Sequence, residues 1–88
     1  YVGTAFGGIQ TLESSFIRSY GVAGQPDPCT LTNSLANATA ARISSQHGSL
    51  GPSLTYSSGS VASSHAIGEA FIAIREGRLE RALAGGAE

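Results

Sequence analysis

The chain has 88 residues, 41% of them hydrophobic and only 12% charged, whereas a small domain that buries about 60% of its extended surface ordinarily carries about 25% charge. The expectation is a segment of a longer chain, or one that covers a face with a partner. A net charge of −1 from five arginines, six acidic residues and no lysine speaks against nucleic-acid binding. The longest apolar run, Ala70 to Ile74, falls short of the ~20 residues of a membrane span, and the single cysteine, Cys29, excludes an internal disulfide and a cysteine zinc site, so a cytoplasmic protein is expected.

In chain order, residues 1–5 read as the end of a strand, and Phe6, Gly7 and Gly8 as a flexible turn. Ile9, Leu12, Phe16 and Ile17 then share one face of a helix that Gly21 stops. Residues 21–32, with two of the three prolines, Asp27 and Cys29, read as a loop. Asn33 or Ser34 caps a second predicted helix through His47, with Leu35, Ala38 and Ile43 among its buried positions and Gly48 as its left-handed stop. Gly51 and Pro52 break the chain before an extended run over 53–56 and a turn at Ser57, Ser58 and Gly59. A third helix starts at Ser60 or Val61 and runs through Glu76, with Ala66, Ile67, Ala70, Phe71 and Ile74 at helical spacing and Gly77 ending it. A last extended run over 79–84 closes at Gly85 and Gly86. The order is that of an α/β fold with an incomplete sheet.

The strand-to-helix junction at Ser57, Ser58, Gly59 and Ser60 is the place for chemistry. A side chain on such an elbow is exposed, and the unpaired amides and dipole of the following helix stabilise an anion developing beside it. The G-x-S-x-G pattern of hydrolases is not met around Ser60, where Ser58 and Ala62 stand in place of the glycines, and serine and glycine at this junction are also ordinary capping residues. His65, five residues beyond Ser60, falls roughly 140° around a helix and is expected to face away from the elbow. His47 reads as a helix-terminal histidine beside the last carbonyls. The glycine pairs at 7–8 and 85–86 fit neither phosphate-binding pattern and read as turns. Cys29 has no cationic neighbour in sequence to activate it, and the acidic and arginine residues between Glu69 and Arg81 read as a solvated helix end.

Taken together, Gly3-Thr4-Ala5-Phe6-Gly7-Gly8, Gly48-Ser49-Leu50-Gly51-Pro52, the elbow, His65-Ala66-Ile67-Gly68-Glu69-Ala70 and Ala84-Gly85-Gly86-Ala87-Glu88 form a series that resembles the N-terminal half of β-ketoacyl-acyl-carrier-protein synthases. These are the elongating condensing enzymes of fatty acid and polyketide synthesis. The resemblance covers essentially the whole chain and implies an α/β fragment of the thiolase-like layered α/β/α/β/α fold, residues 1–88 being a partial N-terminal β-ketoacyl synthase domain. In the family the elbow residue is a cysteine that takes an acyl chain as a thioester before Claisen condensation with a malonyl unit; here that position is Ser60. The two histidines that assist the family's reaction fall C-terminal to Glu88, so His47 and His65 are not those residues.

The resemblance further implies that Phe6 gates an acyl pocket, the alternative from the residue alone being a core aromatic. It also implies that Thr30 and Ser34 belong to a segment reaching the partner subunit's pocket, and that residues 53–56 pair across a dimer axis. Acyl carrier protein and a second ketosynthase, as homodimer or heterodimer, are the implied partners; no cofactor and no metal are expected. Relatives often carry basic side chains where this chain has none between residues 21 and 28, and has Asp27 instead. Two readings follow: a condensing acyltransferase with Ser60 as a weakened nucleophile, or a non-catalytic subunit of the chain-length-factor type. An unrelated α/β hydrolase using Ser60 is the least favoured.

Overall fold

The computed structural model describes residues 1–21, 25 and 27–88. Three short parallel strands, β1 (Val2–Gly3), β2 (Thr55–Tyr56) and β3 (Gly85–Gly86), form a sheet in the order β2-β1-β3. Val2 lies opposite Thr55 on one side and Gly85 on the other. Four helices accompany them: α1 (Ile9–Tyr20), α2 (Thr30–Ser34), α3 (Ala38–Gln46) and α4 (Ala62–Arg75), the last entered through a 3-10 turn at Gly59–Val61. Helix α4 packs across all three strands, while α1, α2 and α3 follow one another in contact at the side. The α/β architecture agrees with the sequence reading.

The core is built from the smallest side chains. Along α4 the buried positions are Ala62, Ala66, Ala70 and Ala73, with Ala66 and Ala73 fully buried. Their spacing of three and four residues places them on one stripe. Opposite them, a Cβ added to Gly3 would collide with the Ala62 carbonyl and the Ser63 amide, and one added to Gly86 would collide with the Ser63 side chain. Glycine is therefore required at both positions by close approach of helix and strand. The large residues of α4, Ile67, Phe71 and Ile74, face outward, as do Leu12, Phe16 and Ile17 of α1.

Helix ends follow the expected glycines in two places, Gly48 and Gly77, which take positive φ values of 61° and 73°. Gly21 also ends α1, but in extended backbone with its amide on the Ile17 carbonyl.

Four expectations need correction. The helix expected from Asn33 or Ser34 to His47 is two helices, because Leu35 is extended (φ −66°, ψ 141°) and α3 restarts after Asn37. Leu35 is accordingly exposed and Ala38 and Ile43 only partly covered, Ala40 being the buried residue of α3. The loop expected over 21–32 overlaps α2, which begins at Thr30; residues 22–24 and 26 of it lie outside the described residues. The extended run over 79–84 is not a strand: pairing falls on Gly85–Gly86, which were read as a closing turn. In this register Leu83 accepts from the Tyr1 amino group and Gly85 donates to the Tyr1 carbonyl.

The turn after β1 is held by the far end of the chain. Glu88 accepts hydrogen bonds from the amides of Ala5 (2.7 Å) and Phe6 (3.1 Å) and approaches the Thr4 hydroxyl at 3.5 Å. Those two amides, with the Thr4 hydroxyl adding to them, hold its carboxyl below the ordinary carboxylate range against a smaller opposing effect of desolvation. Thr4 in turn accepts from the Gly7 amide at 3.0 Å.

Two outcomes are expected. Gly3→Ala should lower stability by about 2 kcal/mol, read as a fall in the denaturant midpoint, whereas Gly51→Ala, where an added Cβ meets nothing within 4 Å, should leave the midpoint nearly unchanged. Because the folded Glu88 carboxyl lies below its unfolded value of about 4.3, its contribution is present above that pH and is lost as pH falls through the folded value. The protection of the Ala5 and Phe6 amides from exchange, relative to their intrinsic rates, should fall over that acid range, and Glu88→Gln should abolish the acid-dependent step.

Candidate active site

The carboxyl ends of the three parallel strands come together, which is where open α/β sheets place their ligands. Residues 4–8 follow β1, residues 57–60 follow β2, and Ala87 and Glu88 follow β3. Side-chain bonds tie the three ends: Ser57 Oγ donates to the Ala5 carbonyl at 3.0 Å, and Glu88 accepts from the Ala5 and Phe6 amides. The elbow needs Gly59, whose φ of +63° is left-handed.

Ser60 sits in the 3-10 turn that opens α4 and is exposed. The first amides of such a turn have no acceptor within the helix, so they and the helix dipole are available to a developing anion beside Ser60. Phe6 is 71% exposed among the described residues. Gly7 and Gly8, directly after it, touch the backbone of Ala36 and of Asn33 and Ser34, so the Phe6 turn stands between the elbow and the α2–α3 segment. Ser34, the last residue of α2, donates to the Leu31 carbonyl at 3.0 Å, and Thr30, the first, shares a 3.1 Å hydrogen bond with Ser15 of α1. Ser60 and the Phe6 turn thus lie at linked strand ends, whereas the hydroxyls of Thr30 and Ser34 are engaged within the α1–α2 region.

His65 departs from expectation. Its Nδ1 lies 3.2 Å from Ser58 Oγ, and its ring packs on Tyr56 with centroids 4.8 Å apart. Residues 57 and 58 precede the helix, outside the angular argument made for Ser60, and Ser58 reaches the histidine across its first turn. Partial burial, followed by the charges of Glu69 and Tyr1, raises the Tyr56 phenol above its ordinary value. Tyr1 also stacks with Tyr56, its ring 6.2 Å away and nearly parallel.

Sequence reasoning missed two features, the Ser58–His65 contact and the Glu88 clamp. The first was visible only as a histidine one turn into a helix that follows a serine-rich turn. The second was visible only as an acidic residue directly after a glycine strand. The charged end of α4 behaves as expected, with an exposed Arg78–Glu76 pair at 2.8 Å and Arg75 over the Phe71 ring. A cleft of about 570 Å³ lined by Tyr1, Val2, Ile43, His47, Leu50 and Leu83 lies at the opposite, amino ends of the strands. Among the described residues no three His, Cys, Asp or Glu side chains converge, and no helix is long and apolar enough to cross a membrane.

Comparison with curated proteins gives no match. Comparison with protein families does: a family model of the beta-ketoacyl synthase N-terminal domain matches residues 1–88. The glycine-lined sheet, the elbow opening α4 and the family match agree, and the chain belongs to the β-ketoacyl synthase N-terminal domain family, with a β-ketoacyl synthase-like function.

Proposed function

We propose that this chain is part of the N-terminal domain of an acyltransferase of fatty acid or polyketide synthesis that handles acyl thioesters at Ser60. The reaction is the decarboxylative Claisen condensation of an acyl thioester with a malonyl-carrier thioester. In its first step Ser60 Oγ would attack the thioester carbonyl, the carrier leaving as a thiol and the acyl group remaining as an ester. The observation that carries this reading is the placement of Ser60 on an exposed 3-10 turn, at the carboxyl end of β2 and the start of α4. A serine hydroxyl is far less ionised at neutral pH than a thiol, so the step is slow without an adjacent base.

A second reading is a non-catalytic subunit that pairs with an active synthase. One observation favours it: the nearby imidazole, His65, is hydrogen-bonded to Ser58 rather than to Ser60. In either reading acyl carrier protein is the donor, the cytoplasm the compartment, and β2 the strand through which two subunits pair. Its position at the edge of the described sheet supports that pairing, since an open edge offers main-chain groups to a second strand. Thr30 and Ser34 would then serve the neighbouring subunit's pocket and Phe6 its own.

Ser60→Cys should raise acyl-enzyme formation by roughly tenfold or more, because thiolate is far more available than alkoxide. Intact mass spectrometry after mixing with an acyl-carrier thioester measures it. Rapid stoichiometric acylation of unaltered Ser60 would contradict the weakened-nucleophile reading.

A further inference from the structure

We propose that Ser58 and His65 form an acyl-accepting pair at the elbow, distinct from Ser60, which gives the protein a slow thioester-cleaving activity of its own. The choice of a thioester as substrate rests on the function proposed above; the pair itself rests on geometry. Ser58 Oγ and His65 Nδ1 are 3.2 Å apart, the separation of a nucleophile and its base. Both residues are exposed, so a substrate carbonyl can reach the hydroxyl.

The imidazole is held in place. Its ring lies against Tyr56 at 4.8 Å with a tilt of 43°, and Tyr56 is itself braced by Tyr1. The other partner is held too: Ser57 is bonded to the Ala5 carbonyl, and left-handed Gly59 turns the chain immediately after Ser58. Ser58 therefore sits on a turn fixed at both ends, opposite a ring fixed by stacking. Glu69 follows His65 by one helical turn, on the same face of α4. Directly after Ser58, the amides that open the 3-10 turn lack intrahelical acceptors and can receive an oxyanion.

The step balances without any further reagent. With the ring proton on Nε2, Nδ1 accepts the Ser58 hydroxyl proton as Oγ forms a bond to the thioester carbon. The carbon–sulfur bond breaks, and the leaving thiolate takes the proton back from Nδ1. The products are an ester on Ser58 and a free thiol. Water, deprotonated by the same nitrogen, then releases a carboxylic acid and restores the hydroxyl. Ser60, two residues on, has no part in these proton transfers.

The test is incubation of the purified protein with an acyl N-acetylcysteamine thioester, following thiol release and locating the acyl group by tandem mass spectrometry. The acyl mass should fall on Ser58, disappear in Ser58→Ala and form faster in Ser58→Cys. His65→Phe, which keeps a ring against Tyr56 but removes Nδ1, should slow acylation on the order of 10²-fold, while Ser64→Ala should have no effect. Absence of acylation at Ser58, or a rate unchanged in His65→Phe, overturns the proposal. The outcomes separate the two assignments: acylation of Ser60→Cys at position 60 with none at Ser58 removes the pair and leaves the condensing reading standing. Acylation of Ser58 with no gain in Ser60→Cys keeps the pair and removes Ser60 as the acyl site.

Discussion

The contact on which the structure depends is the approach of α4 to the sheet, made possible by Gly3 and Gly86 on the strands and by Ala62, Ser63 and Ala66 on the helix. With no side chain on the strand side, helix backbone and strand backbone meet directly, and four alanines supply the buried stripe. The extents of the molecule, 55 × 28 × 12 Å, reflect this: the thin direction holds one helix layer on one sheet. Because β1 lies between β2 and β3, a helix fastened over β1 fixes the carboxyl ends of all three strands with respect to its own amino end. The elbow is the short link between those two fixed bodies.

What fills the strand ends follows from the same economy of side chains. Few large residues are present to hold the turns, so hydrogen bonds to main-chain groups hold them instead. Glu88 secures the amides of Ala5 and Phe6, Thr4 the amide of Gly7, and Ser57 the carbonyl of Ala5. Each satisfies a backbone group that the short strands leave without a ladder partner. The result is a rigid rim around two serines, Ser58 and Ser60, of which the first faces an imidazole and the second stands at the mouth of the helix. Exposure does not separate the two hydroxyls, and the His65 imidazole is bonded to Ser58.

Much of this was legible in the chain. Apolar spacing from Ile9 to Ile17 marks α1, and Gly48 and Gly77 mark helix ends through the left-handed conformation that they alone adopt without strain. The break at Leu35 was not legible, because Ala-rich sequence on both sides suits a helix and nothing local marks the extended residue. Gly85–Gly86 read as a turn because glycine has low strand preference; it pairs with β1, and at Gly86 only glycine lets Ser63 sit against the strand. The buried stripe of α4 was half seen: Ala66 and Ala70 were recognised together with Ile67, Phe71 and Ile74, yet size does not decide which side faces the sheet when the sheet is glycine. The elbow was legible as a strand-to-helix turn with Ser60 exposed, whereas the Ser58–His65 contact depends on the path of two residues before the helix, and no periodicity describes those.

The central claim is that glycine-to-alanine packing under α4 sets the geometry of the elbow. It is tested most directly by thiol alkylation of Ser60→Cys with and without Gly86→Ala, a substitution that forces Ser63 away from β3. Cys29, exposed and free, serves as the internal reference within the same molecule. The account predicts that Gly86→Ala changes the alkylation rate at position 60 several-fold while the rate at Cys29 stays constant. Equal rates at position 60 in the two backgrounds, with Cys29 unchanged, would contradict it.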